Sequence, residues 1–88
     1  MYDISKIRLC KKSEAYATLG ISEGTFRHQI SEGLMVPTIS LGERSIGVIT
    51  QEIDLIIKAR IAGLSEMQIK DLVKKLIEFR TTLCSEIV

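Results

Sequence analysis

The apolar positions along the chain change their spacing several times, and each change marks an element. Residues 1–10 alternate weakly, with Ile7 and Leu9 on either side of Arg8. That pattern fits a short tail or a capping strand with one face toward the core. Residues 13–19, Ser-Glu-Ala-Tyr-Ala-Thr-Leu, predict a short helix. Ser13 is placed to cap it, Glu14 suits its positive end, and Gly20 can take the positive φ that stops it. Ser22 then caps a second helix, which Gly33 closes after Glu32. Ile21 and Phe26 have the spacing of a hydrophobic staple, and Phe26 and Ile30 share one face. Two short helices joined by Gly20-Ile21-Ser22 make the pattern of a helix-turn-helix.

After Gly33 the period falls to two. Pro37 excludes continued helix, and Thr38-Ile39-Ser40-Leu41 alternates as a half-buried strand does. Gly42-Glu43-Arg44-Ser45 reads as a turn, and Ile46, Val48 and Ile49 give a second β-prone run. The segment predicts a β-hairpin. Helical spacing returns at Thr50, a candidate cap for a helix from Gln51 to about Ala62. Ile53, Ile56, Ile57 and Ile61 recur along it, and Gly63 ends it. Ser65 and Gln68 form a capping box for a fourth helix, with Leu64 and Ile69 as its staple. Ile69, Leu72, Val73, Leu76 and Ile77 make an apolar stripe, which Leu83 extends. The acidic pairs Glu52/Asp54 and Glu66/Asp71 are assigned to solvent faces. The fold class expected is mainly α: a winged helix-turn-helix with a two-stranded β-hairpin wing and C-terminal helices. It is read as one domain over residues 1–88, with the helix-turn-helix and wing in 8–49 and the C-terminal helices in 50–83.

Composition narrows the function. A chain of 88 residues buries only somewhat more than about 60% of its unfolded surface, so the core is modest. There is no Trp, and isoleucine occurs 14 times, so the core is aliphatic. The formal net charge is +1. Such a balance argues against a polybasic, sequence-blind nucleic-acid binder, but a specific binder depends on where charge is placed. Cys10 and Cys84, with no leader segment, point to reduced thiols in a cytoplasm. No apolar run approaches the roughly 18 residues that a membrane helix needs, so no membrane partner is expected.

The candidate chemistry lies on the second helix. With Phe26 and Ile30 inward, the opposite face presents Glu23, Thr25, Arg27, His28 and Ser31, flanked by Gln29. Arg, Gln, Ser and Thr are side chains that read base edges, and Arg27 is the first candidate for a specific contact. Ser22 and the free N–H groups at that helix start can hold a phosphate. Lys11 and Lys12 can pair with the backbone, and Arg44 at the hairpin tip can enter a narrow minor groove. Singly, each of these residues is ordinarily solvated surface; it is their combination beside a hairpin that points to DNA. Catalysis has little to work with. His28 is the only histidine, neither Cys has a partner nearby in sequence, and no nucleotide-loop or metal motif is present. No enzyme activity, cofactor or metal is expected.

Several stretches resemble AlpA-type prophage regulators, a branch of the excisionase and MerR-like winged helix-turn-helix proteins. They are Gly20-Ile21-Ser22 through Thr25-Phe26, Ile30-Ser31-Glu32-Gly33-Leu34, the wing-like Leu41-Gly42-Glu43-Arg44-Ser45-Ile46-Gly47, and Glu52-Ile53 followed by Ala59-Arg60-Ile61-Ala62-Gly63. Ile69 and Leu72-Val73 extend the likeness, which covers roughly residues 8–80. It implies a DNA-binding protein of a mobile genetic element. The implied role is transcription regulator, excisionase or both, acting on a promoter or attachment site and controlling integrase expression or excision. Integrase is a candidate protein partner, and a homodimer or cooperative multimer on DNA is expected. Three positions depart from the family: Glu23 where a basic residue is usual, Arg27 where an aromatic is, and Val48 in place of a Trp. These departures bear on the target sequence. The alternative expectation is a small protein-interaction module that binds a repressor or recombinase.

Overall fold

Glycine stops and serine caps divide the chain much as its sequence predicts. The computed structural model describes residues 1–83. Their order is a 3-10 turn Ile4–Lys6, β1 Leu9–Lys11, α1 Lys12–Leu19, α2 Glu23–Ser31, β2 Ile39–Ser40, β3 Ile46–Ile49, α3 Thr50–Ile61 and α4 Glu66–Leu83. The fold is mainly helical with a small three-stranded antiparallel sheet. Gly20, Gly33 and Gly63 take φ of 71°, 76° and 82° and stop the first three helices. The capping box at α4 forms both bonds: Gln68 N–H donates to Ser65 Oγ at 3.2 Å, and Ser65 N–H to Gln68 Oε1 at 2.9 Å. Cys10 is a half-buried free thiol, and Cys84 lies outside the described residues.

Two expected caps are absent. Ser13 lies inside α1, which begins at Lys12, and Thr50 is the first residue of α3; neither helix has a side-chain cap. In both places the helix follows a strand without a linker, so an extended strand residue, Lys11 or Ile49, holds the cap position. At α3 the segment before β1 supplies one of the bonds that a cap would. Thr50 N–H donates to Arg8 O at 2.8 Å, satisfying one of the donors a helix start leaves free.

The expected two-stranded hairpin gains a third strand from the N-terminal segment. The strand order is β1-β3-β2. Leu9 lies across from Ile49, Cys10 from Val48, and Lys11 from Gly47. On the other side Ile39 faces Gly47 and Ser40 faces Ile46, so β2 is shorter than the predicted run. This register also corrects the inward face of the N-terminal segment. Val48 is fully buried, and its partner Cys10 turns with it toward the core, while Ile7 and Leu9 are exposed. A strand has period two, so one choice fixes the other. Leu41 folds over Gly47, where a Cβ would stand 2.8 Å from Leu41 Cδ1.

The core cluster draws on every helix: Phe26 from α2, Ile56 from α3, and Val73 and Leu76 from α4 meet Met35 and Val48, with Ala15 of α1. The α4 stripe holds for Ile69, Val73 and Leu76, while Ile77 is exposed at its margin. The α3 stripe is rotated from expectation. Its buried residues are Glu52, Ile53, Ile56 and Ala59, and Ile61 is 81% exposed. At about 100° per residue, a face centred on Glu52 and Ile56 leaves Ile61 on the far side.

Glu52 is therefore not on a solvent face: it has no exposed surface. Its carboxylate is gripped by Arg80 from α4. Arg80 Nε donates to Oε2 at 2.9 Å and to Oε1 at 3.1 Å, and Nη2 also reaches Oε1. The same Nη2 donates to Pro37 O at 2.9 Å. Tyr2 completes the shell, its hydroxyl donating to Glu52 Oε2 at 3.0 Å while its ring meets Phe79 edge-on at 4.8 Å. Among the described residues, no buried side-chain nitrogen or oxygen lacks a partner.

Removing one member of a buried pair strands the other's charge at a cost of about 3–5 kcal/mol. Arg80→Ala should lower unfolding free energy by that amount in urea titration, and Glu52→Leu/Arg80→Met should recover most of it. The Tyr2 hydroxyl gives a second expectation. Burial, then the Glu52 charge and hydrogen bond, push its pKa up from 10.0 to about 12, against an opposing effect of Arg80. The raised value means that the folded state holds the proton longer. The contribution is intact below pH 10 and fades as pH rises toward about 12. Tyr2→Phe should lose less stability than wild type across that window in urea midpoints.

Candidate nucleic-acid interface

The α2 helix is pinned from one side only. Ser22 caps it, its Oγ accepting from Thr25 N–H at 3.1 Å and its hydroxyl donating to Thr25 Oγ1 at 3.0 Å. Phe26 is fully buried and meets Tyr16 of α1 at 6.2 Å between ring centroids. Ile30 is half-buried one turn on. The helical period then turns Glu23, Gly24, Arg27, His28 and Ser31 outward, and all five are exposed. The side chains of Arg27 and His28 are each 71% exposed.

Gln29 departs from this face. It is half-buried, and its Oε1 accepts from Arg60 Nη2 of α3 at 3.5 Å. Arg60 also reaches Leu34 O at 3.5 Å, so the last turn of α3 braces the end of α2. Thr25 is exposed on the margin, with its hydroxyl engaged by the cap.

The charges on the face are paired rather than free. Arg27 Nη2 lies 2.7 Å from Glu23 Oε1, and Lys12 Nζ of α1 lies 3.9 Å from Glu23 Oε2. His28 Nε2 is 3.8 Å from Glu32, an ion pair only when the imidazole carries a proton. Exposed pairs of this kind contribute about 0–1 kcal/mol, so a phosphate or base edge can compete for either cation. Lys12, Glu23 and Arg27 together line a hollow of about 210 Å³ between α2 and the sheet, with Thr38 and Ile46 on its far wall. Lys11 is exposed at the end of β1, directly before α1. Arg44 is exposed in the turn between β2 and β3, which Leu41 N–H closes onto Ser45 O at 2.8 Å.

The structure thus brings Lys12, Glu23 and Arg27 into one cluster and joins Ser22 to Thr25. It places Lys11 at the end of β1 and Arg44 in the turn between β2 and β3, and draws Gln29 toward Arg60. The Glu23 to Arg27 contact is visible in sequence as an i,i+4 spacing. The contacts of Lys12 and Arg60 depend on how helices meet, which no local pattern reports. Gly24 is a further residue to which the sequence reading assigns no role. It sits in the first turn of α2, and a Cβ there would meet nothing closer than Ser22 Oγ at 4.0 Å. Internal packing does not require a glycine at that point. Among the described residues, no group of His, Cys, Asp or Glu is gathered as for a metal ion, and no helix is long and apolar enough to cross a membrane.

The two ends of this first turn give opposite expectations. Ser22→Ala removes the cap and should cost about 1 kcal/mol. Gly24→Ala should raise stability by a few tenths to about 1 kcal/mol, because alanine loses less backbone entropy in a helix. Thermal melts of the two variants check both signs.

Compared with protein-family models, curated proteins and solved structures, the chain matches none of them.

Proposed function

We propose that the chain is a winged helix-turn-helix protein that binds double-stranded DNA at specific sequences, with no catalytic role. In this reading α2 enters the major groove, and the turn that carries Arg44 lies against the backbone or the neighbouring minor groove. One observation carries it. The second helix of a turn-linked pair is anchored by Phe26 and holds Arg27 and His28 outward, and Ile46, which follows the turn that carries the exposed Arg44, lines the same hollow as Arg27. A helix about 10–12 Å across matches a groove about 12 Å wide. Gly24 supports the same reading, since a missing side chain on the outward face lets a partner approach the helix backbone.

The likeness to AlpA-type regulators gives the biological form of the proposal: a regulator or excisionase of a mobile element, acting at a promoter or attachment site, with integrase as a protein partner. A module this small covers little DNA, so specific occupancy calls for a dimer or a cooperative array. Half-sites about 10 base pairs apart fit a symmetric dimer, and α4 is the proposed contact between copies.

A second reading is a protein-interaction module. Two observations favour it: Glu23 engages both nearby cations, and Leu9, Leu41 and Ile46 are exposed around one hollow on the sheet. Gel-shift titration at two salt concentrations separates the readings. The DNA reading expects competitor-resistant bands that weaken steeply with salt, since each phosphate contact adds about 0.9 to the slope of log K against log salt. Arg27→Ala should then cost about 1–3 kcal/mol on the preferred site and much less on random duplex. Arg44→Ala and Gly24→Ala should weaken binding in proteins that still melt cooperatively. The absence of any shift at low salt would leave the interaction module standing.

A further inference from the structure

The cluster at the start of α2 sets one acid between two cations. A surface that meets phosphate gains from free cations, yet here one carboxylate serves two of them. Glu23 Oε1 accepts from Arg27 Nη2 at 2.7 Å, and Glu23 Oε2 faces Lys12 Nζ at 3.9 Å. The two oxygens are therefore divided between α1 and α2. Glu23 is itself about half exposed, with 47% of its side-chain surface accessible. Burial does not force this carboxylate onto the cations, and it does not belong to the network around Glu52.

We propose that Glu23 is a specificity-determining residue of the DNA-reading face, holding Arg27 in one orientation and withdrawing Arg27 and Lys12 from indiscriminate phosphate contact. This inference rests on the DNA reading of α2. Its physics has two parts. A guanidinium has five N–H donors, so one given to Glu23 leaves an edge for the two acceptors of guanine. An arginine fixed in that way gives up less side-chain freedom when it meets a base. The carboxylate also repels any phosphate that approaches Lys12 or Arg27, and it does so on every sequence. Only a site that satisfies Arg27 through its base edge offsets that repulsion. A basic residue at position 23 would instead attract all duplexes alike. Glu23 thus acts through Arg27 as a positioning residue and through its charge as a filter.

The test is selection from a random duplex library with wild type, Glu23→Gln and Glu23→Ala, followed by salt titrations on the winning site and on a scrambled duplex. Gln keeps an acceptor for Arg27 without the charge, and Ala keeps neither. Both variants should bind scrambled DNA on the order of fivefold tighter, with a salt slope steeper by about 0.9 for each cation released. Preference for guanine at the Arg27 position should fall in both variants, by up to about fivefold in Glu23→Ala and by less in Glu23→Gln. A purely structural role for Glu23 would shift melting temperature and weaken both duplexes equally, with preference and slope unchanged, and that result overturns the proposal while leaving DNA binding intact. Wild type that binds duplex without enriching any site overturns it too, since there is then no selectivity to set. Wild type that binds no duplex at low salt removes the DNA reading itself, and this inference with it.

Discussion

The carboxylate of Glu52 has no contact with solvent, and everything around it is arranged to keep its charge satisfied. A buried carboxylate left alone costs several kcal/mol, a large part of the 5–15 kcal/mol that holds a domain of this size together. Arg80 meets that demand with a two-pronged grip, Tyr2 adds a hydroxyl, and Arg80 passes one further bond to the carbonyl of Pro37. Four separated parts of the chain are thereby fixed to one point: the N-terminal segment, the approach to β2, the first turn of α3 and the last turns of α4. An aliphatic pair of the same volume would give similar stability. The ion pair also carries geometry, since a bidentate guanidinium restricts how α4 sits on α3.

That setting reaches the candidate interface through α3. Its first turn carries Glu52, and its last turn carries Arg60, which braces Gln29 and Leu34 at the end of α2. The outward face of α2 is thus supported from behind by the aromatic contact of Phe26 with Tyr16 and at its end by Arg60. The residues on the face itself make only short-range, exposed pairs. Rigid backing with labile surface charge is the arrangement expected of a surface that exchanges its own contacts for those of a partner.

Much of this was legible in the sequence, and the limits have clear causes. Positions fixed by local chemistry came through: the Gly20 stop, the Ser22 cap, the Ser65 and Gln68 box, the burial of Phe26, and the stripe of Ile69, Val73 and Leu76. Positions fixed by distant partners did not. The third strand depends on residues 9–11 meeting residues 47–49, and a three-residue strand carries too little alternation to announce that. The caps assigned to Ser13 and Thr50 failed because a strand ran straight into each helix. Its charge alone assigns Glu52 to a solvent face, but its position does not. Its spacing to Ile56 and Ala59 put it on the apolar face of α3, and Arg80 continues the line of Ile69, Val73 and Leu76. Opposite charges set into the apolar stripes of two successive helices are the signal that was there to be read. At the interface, the identity of the outward residues was legible, but the sharing of Glu23 between Lys12 and Arg27 needed the angle between α1 and α2.

The placement of the Glu52 contacts also sets an order on folding. The pairs α1–α2 and α3–α4 each join neighbours in the chain, so they can form early and at small entropic cost. The contacts of Glu52 span 28 residues to Arg80 and 50 to Tyr2. On a ribosome, α1, α2 and the sheet can assemble while Arg80 is still unmade, but the carboxylate must then stay in water. The shell around Glu52 is complete only once α4 has been made, although Tyr2 precedes both of its partners in the chain.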